Sequence, residues 1–162
     1  MSTLREAAQQ ALIYDPETGI FKWSDSAFHK RNRGQLAGSK KRNGYVEIQL
    51  NGKIHKAHRL AWLMSFGELP DGLEVDHIDG NRANNRLSNL RIVTRSMNQQ
   101  NQRRARIDSA SGMLGVSRNG SNWKAEIRVN GKKKNVGTYL TPEQAYAAYV
   151  NAKRRYHEGC TL

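Results

Sequence analysis

Asp76 and His77 stand side by side in the run Val75-Asp76-His77-Ile78-Asp79-Gly80-Asn81, and Asn89 and Asn98 follow within a short stretch. An imidazole titrates near neutral pH and can take a proton from water. A carboxylate and an amide carbonyl are hard oxygen donors, the kind that a small divalent cation prefers. A base beside a cation ligand is what phosphodiester hydrolysis requires: a deprotonated water, and stabilised charge on the phosphate and the leaving oxygen. Neighbours along a regular strand point to opposite faces. Asp76 and His77 can therefore serve one site only near a strand end or bend, and Asp79-Gly80-Asn81 has the turn chemistry to supply it. An adjacent Asp-His pair alone is more often structural than catalytic, so the surrounding residues must carry the inference.

The elements that would position these residues can be read from periodicity. Leu4 to Ile13 suits a short helix, Tyr14 to Gly19 a turn, and Ile20 to Trp23 a strand. Ser24 to Lys41 is basic and contains Gly and Ser, which predicts a loop. Gly44 to Leu50 alternates, with Val46, Ile48 and Leu50 on one side. Asn51-Gly52 then marks a hairpin turn before a return strand over Lys53 to Ala57. His58 to Phe66 has helical spacing, and Gly67 and Pro70 stop it. Leu73 to Ile78 and Leu90 to Val93 read as short strands flanking an Asn-rich turn. Ser96 to Arg106 is helix-compatible but polar, so it must lean on a neighbour or a ligand.

Past a basic linker the pattern changes. Met113 to Ser117, Trp123 to Val129 and Lys132 to Tyr139 read as three strands, with Asn119-Gly120-Ser121 and Asn130-Gly131 as turns. Thr141-Pro142-Glu143-Gln144 opens a helix to about His157. The expected class is α+β. The expected organisation is a first region over 1–105 with its core motif at about 58–101, a linker at 106–112, and a small sheet-and-helix domain over 113–160.

Charge narrows the partners. The 162 residues hold 27 Lys and Arg against 14 Asp and Glu, a formal charge of +13. Such an excess favours a polyanion, because each neutralised phosphate releases condensed counterions. No stretch approaches the length of a membrane span, so a membrane partner is not expected. The single Cys160 excludes a disulfide framework within the chain and a Cys-x-x-Cys zinc site. With no apolar leader at Met1 to Leu4, the chain reads as cytoplasmic. Only 7% of residues are aromatic, and Trp123 is expected to be buried. A stacking platform for single-stranded RNA is therefore disfavoured.

The run around Asp76 and His77, with Asn84-Asn85, Asn89-Leu90-Arg91, Asn98, Gly44-Tyr45 and His58-Arg59-Leu60-Ala61-Trp62, resembles the HNH endonuclease family, in the subtype of phage and intron homing enzymes. The resemblance spans about Tyr14 to Asn101. It implies a two-stranded hairpin followed by a helix, gripping one metal ion. Carried over by position, it makes His77 the general base and Asp76 a metal ligand. Asn89 becomes the middle Asn that braces the loop and helps orient the base, and Asn98 the second metal ligand. An Asn at that last position suits Mg²⁺, with Mn²⁺ as an alternative, and makes Zn²⁺ less favoured. Around these residues, Asn84, Asn85 and Asp79 read as turn residues, and His58 as packed or phosphate-contacting. Arg91 is equally a phosphate contact or a solvated strand arginine. His29, His55 and His157 read as surface residues.

The C-terminal stretch from Leu114 to Glu158 resembles the DNA-binding domain of plant ethylene-response factors (the Apetala type), versions of which also occur beside HNH nucleases in phage proteins. If Trp123, Ala125, Ile127 and Val129 pack on the helix, Lys124, Glu126 and Arg128 face outward, with Lys133 and Asn135 beside them. A sheet face of this kind fits a DNA major groove. Ser117 and Asn119 stand where plant members carry arginines, a departure that changes the target or weakens base readout.

Together these readings imply an HNH endonuclease that hydrolyses double-stranded DNA to 5′-phosphate and 3′-hydroxyl ends, in a host cytoplasm if phage-encoded, with a monomer favoured. A non-catalytic, sequence-specific DNA-binding regulator on the same scaffold is the alternative.

Overall fold

The computed structural model describes residues 3–25, 32–102, 105, 108–157 and 160. His29, residues 103 and 104 at the end of the expected first region, and residues 106 and 107 of the expected linker lie outside the described residues. The contacts divide the chain into two compact units, Met1–Arg95 and Ser96–Leu162.

In the first unit, α1 (Leu4–Ala11) opens on a reciprocal cap: Glu6 N donates to Thr3 Oγ1 at 3.3 Å, and Thr3 N donates to Glu6 Oε2 at 2.9 Å. The helix ends two residues short of the Ile13 expected from periodicity. Leu12 and Ile13 are taken instead by β1 (Leu12–Asp15), which pairs antiparallel with β2 (Ile20–Trp23). Tertiary pairing overrides local helix propensity here. The Asp15 carboxylate accepts from Glu17 N at 3.0 Å and from the Thr18 hydroxyl at 2.6 Å, and Gly19 supplies the positive φ of 72° that closes the turn.

A second sheet has the order β3 (Ser39–Lys40), β4 (Val46–Leu50), β5 (Lys53–Lys56). The short, exposed β3 lies inside the stretch expected to be a loop. The β4–β5 turn uses Asn51 and Gly52 at φ 50° and 74°, as an Asn-Gly hairpin requires. α2 (Ala57–Phe66) follows directly and stops at Gly67. β6 (Leu73–His77) then pairs antiparallel with β7 (Leu90–Thr94), placing Asp76 opposite Arg91 and His77 opposite Leu90. Ile48, Ala57, Leu60 and Ala61, each 1% exposed or less, form the centre of a core that also takes in Ala8, Leu12, Phe21, Val75 and Leu90. α3 (Arg95–Gln100) follows β7 in the chain, so the order of two strands and a helix expected from the motif is present. It is shorter than the sequence reading, and the division between the units falls inside it, earlier than the boundary expected from composition.

The second unit is a three-stranded antiparallel sheet of order β10-β9-β8, with β8 (Val116–Asn119), β9 (Asn122–Val129) and β10 (Lys132–Tyr139), and α4 (Pro142–Tyr156) packed on it. Gln144 N donates to Thr141 Oγ1 at 3.3 Å, and Pro142 occupies the first helical turn, as the sequence predicts. Ala125 and Ala145 are fully buried between sheet and helix, where small side chains allow close approach. Gly115 lies against the face of Tyr149, so close that a Cβ would fall within the ring's van der Waals envelope, and its φ is 75°.

Two stability predictions follow from this packing. Gly115→Ala adds both left-handed strain and an overlap with Tyr149, whereas Gly120→Ala, at φ 60° with nothing within 4 Å, adds strain alone. Gly120→Ala should cost about 1–2 kcal/mol and Gly115→Ala about 1–3 kcal/mol more, read from urea denaturation of both variants. Equal losses would count against the close contact.

The second concerns His58, which is 4% exposed and whose Nδ1 has no hydrogen-bond partner among the described residues. Burial first, then His77, Lys56 and Arg59, push its pKa down to about 3. In the unfolded chain it protonates near 6.5, so acid favours unfolding between those values. The stability from keeping His58 neutral is complete above pH 6.5 and is lost as pH falls toward 3. His58→Phe should remove a slope of about 1.4 kcal/mol per pH unit in that window. Urea titrations of both proteins at stepped pH read the difference, and parallel curves would refute it.

Candidate active site

The β6–β7 hairpin sets Asp76 and Arg91 across from each other, and the side chains meet. Arg91 Nε and Nη2 donate to Asp76 Oδ2 at 3.2 and 3.1 Å, with the Asp76 residue only 8% exposed. Of the two roles left open for Arg91, the structure adds a third: it is the charge partner of the buried carboxylate. A buried carboxylate left unpaired would be strongly unfavourable, and this pair relieves that.

His77 ends β6, and the chain turns at once. The turn is held by one dense set of hydrogen bonds centred on Asn89. Its Oδ1 accepts from Asp79 N at 3.0 Å, and its Nδ2 donates to Asp79 Oδ1 at 2.9 Å and to Asn84 O at 2.8 Å. Its backbone oxygen accepts from Ile78 N at 2.9 Å. Asn84 Nδ2 donates to Asp79 Oδ2 at 2.7 Å, and Asn81 N donates to Asp79 Oδ1 at the same distance. Asn89 thus ties both ends of the loop together through backbone and side chain alike. Partial burial works against the Asp79 carboxylate, yet the bonds from Asn84, Asn81 and Asn89 outweigh it and hold its pKa below the ordinary value. Asp79 is a turn residue, as read from the sequence, and it is also the acceptor that organises this turn.

His77 is 3% exposed. Burial pushes its pKa down, opposed by the hydrogen bond with Asn85 and by the charges of Asp76 and Asp79. A neutral imidazole is the form that can accept a proton. The His58 ring stands edge-on to it, with centroids 4.8 Å apart, and the Tyr45 ring lies 5.3 Å from His58 and 6.1 Å from His77. His58, read as packed or phosphate-contacting, is packed. Lys56 Nζ lies 4.4 Å and the Arg82 guanidinium 4.8 Å from the Tyr45 ring centroid, a pair of cation–π contacts that places two basic groups beside the imidazoles. Arg82 also donates to Asn43 O at 3.0 Å. Sequence reasoning passed over Arg82 and Lys56, and it read Asn85 as a turn residue, one of an Asn-rich run in which every member suits a turn; the structure buries it against His77.

Asn98 stands on α3 and is half-buried, on the other side of the division between the units from Asp76. Among the described residues there is no cluster of three or more His, Cys, Asp or Glu side chains able to hold a metal. The buried Asp76 carboxylate is by its chemistry a hard oxygen donor.

In the second unit, Trp123, Ala125, Ile127 and Val129 belong to the core side of β9. Lys124, Glu126 and Arg128 alternate with them. Register places Lys133 opposite Arg128, Asn135 opposite Glu126 and Ser117 opposite Lys124. The five expected surface residues therefore share one face. Lys124 Nζ bonds Glu126 Oε1 at 2.9 Å, and this bond is the main cause of the lowered Glu126 pKa. The exposed Arg128 and Lys133 are left as like charges directly opposite, an unfavourable cross-strand pair that an anion would relieve.

Residues 55–100 match a family model described as HNH endonuclease, the stretch from β5 through α3. An uncharacterised HNH endonuclease, L560, of Acanthamoeba polyphaga mimivirus is 32% identical over 67% of this chain and 56% of that protein. Protein 3.8 of Escherichia phage T7 is 32% identical over 51% of this chain and 69% of that protein. DNA endonuclease I-HmuI of Bacillus phage SP01 is 38% identical over 48% of this chain and 43% of its own length. A solved structure, titled as DNA binding and cleavage by the HNH homing endonuclease I-HmuI, aligns at 31% identity with a TM-score of 0.45, covering 56% of this chain and 51% of that one. The chain thus spans between 43% and 69% of the length of these relatives. With the family model lying over Asp76, His77, Asn89 and Asn98, and with relatives at this level of identity, the chain belongs to the HNH endonuclease family.

Proposed function

We propose that the chain is a metal-dependent DNA endonuclease that hydrolyses phosphodiester bonds in double-stranded DNA, leaving 5′-phosphate and 3′-hydroxyl ends. The observation that carries this reading is a buried imidazole, His77, next to a buried carboxylate, Asp76, at the mouth of a loop locked by Asn89. The name of the SP01 relative, a DNA endonuclease, supports it.

His77 takes the proton from the attacking water. Asn89 keeps the loop, and so the base, in place. Asp76 and Asn98 would hold a Mg²⁺ ion, with Mn²⁺ as a substitute and Zn²⁺ disfavoured by the oxygen donors. Such a cation, when bound, supplies stabilisation of charge on the phosphate and the departing 3′ oxygen. Lys56 and Arg82, beside the imidazoles, offer phosphate contacts.

The second unit binds the duplex through its sheet face, in the manner of ethylene-response-factor domains. Arg128 and Lys133 meet phosphate, and Lys124, Glu126 and Asn135 lie along the same surface. A monomer with one such site nicks one strand.

The test is incubation of the full chain with supercoiled plasmid and Mg²⁺, with EDTA and Zn²⁺ lanes beside it. Mg²⁺-dependent nicking is expected, and His77→Ala should slow it by about 10²–10⁴-fold with DNA affinity unchanged. Salt-dependent binding without cleavage of any DNA would turn the reading to a DNA-binding regulator. For the sheet face, the dependence of binding on salt is the readout. Arg128→Ala and Lys133→Ala should each reduce the slope of log K against log salt by about 0.9. Lys124→Ala, whose charge is already paired with Glu126, should change it less. Equal effects of all three would refute the assignment.

A further inference from the structure

Asn85 is only 3% exposed, although its side chain is wholly polar. Burying a primary amide is unfavourable unless it makes hydrogen bonds. Its Nδ2 donates to Ala83 O at 3.3 Å, which turns Oδ1 toward His77, and His77 Nε2 stands 3.3 Å from that oxygen. An amide oxygen only accepts. Nε2 must therefore carry the proton, and a neutral imidazole with its hydrogen on Nε2 has its lone pair on Nδ1. The partner on one ring nitrogen decides the chemistry available at the other.

Asn85 does not hold this position alone. The Tyr14 hydroxyl of β1 donates to Asn85 O at 2.8 Å, and Leu87 N donates to Pro16 O at 2.9 Å. Gly19 lies so close that a Cβ there would fall 2.5 Å from Asn85 C. Tyr14 is itself stacked on Phe21, with ring centroids 4.6 Å apart. Burial, aided by the charge of Asp15, raises its pKa to about 12, so it remains a protonated donor across the working pH range. The β1–β2 hairpin thus presses on the Asn-rich loop at three successive points: hydroxyl, glycine backbone and proline carbonyl.

We propose that Tyr14 and Asn85 are positioning residues for His77: the β1–β2 hairpin, which lies outside the stretch matched by the family model, holds Asn85 in place, and Asn85 fixes the Nε2–H tautomer so that Nδ1 is the atom that accepts the proton. The tautomer is a property of the folded chain; its use in cleavage rests on the nuclease reading. In that reaction an O–H bond of water breaks and its proton goes to Nδ1, leaving His77 as an imidazolium. The water oxygen forms the new bond to phosphorus. The phosphorus–O3′ bond breaks with its electron pair on O3′, which takes a proton from solvent. The imidazolium returns its proton to solvent.

The experiment uses the full-length, ¹⁵N-labelled chain without added metal at mildly alkaline pH. Long-range ¹H–¹⁵N spectra read the His77 ring, assigned by the signals missing from His77→Gln. Wild type should show the Nε2–H tautomer. Asn85→Leu should show a mixture, and Tyr14→Phe a smaller shift the same way. Plasmid nicking with Mg²⁺ should fall in kcat by about 10–100-fold for Asn85→Leu, as for other groups that orient a catalytic side chain, and less for Tyr14→Phe, with KM for plasmid unchanged in both. Thermal melts separate these effects from unfolding, and if Asn85→Leu does not fold, Tyr14→Phe decides, since it removes one oxygen only. An Nδ1–H tautomer in wild type, or folded variants with wild-type tautomer and kcat, would overturn the proposal. A wild-type chain that cuts no DNA but shows the Nε2–H tautomer would instead sink the nuclease reading and leave the positioning intact.

Discussion

The hydrogen bonds of Asn89 hold the loop between β6 and β7 in one shape, and most of the candidate site depends on that shape. One side chain closes the loop from both sides, donating to Asp79 and Asn84 while accepting from the Asp79 backbone, and its own backbone oxygen receives Ile78 N. Each such bond has a modest net worth in water. In this partly buried loop their value lies in the alternative: without Asn89, Asp79 N and Asn84 O lose their partner, and the chain leaving His77 has no fixed exit. An exposed loop of this length would sample many conformations. This one is tied to the strand ends that carry Asp76 and His77.

Rigidity of this kind comes from two directions. The Asn89 network closes the loop from inside. The β1–β2 hairpin braces it from outside through Tyr14, Pro16 and Gly19. The two supports come from segments far apart in the chain, and they meet at Asn84 and Asn85. Such over-determination suits the role of base proposed for His77, because a small displacement of a proton acceptor is costly to the rate.

Much of this architecture was legible in the sequence, and the gaps have physical reasons. Alternation and Asn-Gly turns predict β4, β5, β9 and β10, and the Thr141-Pro142 start predicts α4, because those signals are local. The adjacency of Asp76 and His77 before a Gly turn locates the hairpin end. What escaped is what only tertiary burial decides. Asn81, Asn84 and Asn85 all satisfy turn chemistry, and nothing in their identity says that one of them is buried against a histidine. His58 sits on a helix whose periodicity shows an inner face but not that the imidazole is sealed within it. β3 is two exposed polar residues long, Ser39 and Lys40, and has no pattern of its own; it exists because β4 offers an edge. Leu12 and Ile13 continue the helical pattern of α1 and are claimed by β1 because β2 is there to pair with them.

The ion pair between Arg91 and Asp76 has a consequence for the cation binding proposed at Asp76. A carboxylate in so sheltered a place is usually a strain on a protein until its ion arrives. Here the guanidinium acts as a resident counter-ion, so the fold does not wait on metal for its integrity. Any cation that takes Asp76 competes with a partner already in place, and its apparent affinity is a difference between two attractions rather than the whole of one. The same exchange would turn a fixed positive charge loose at the hairpin, free to find another anion nearby.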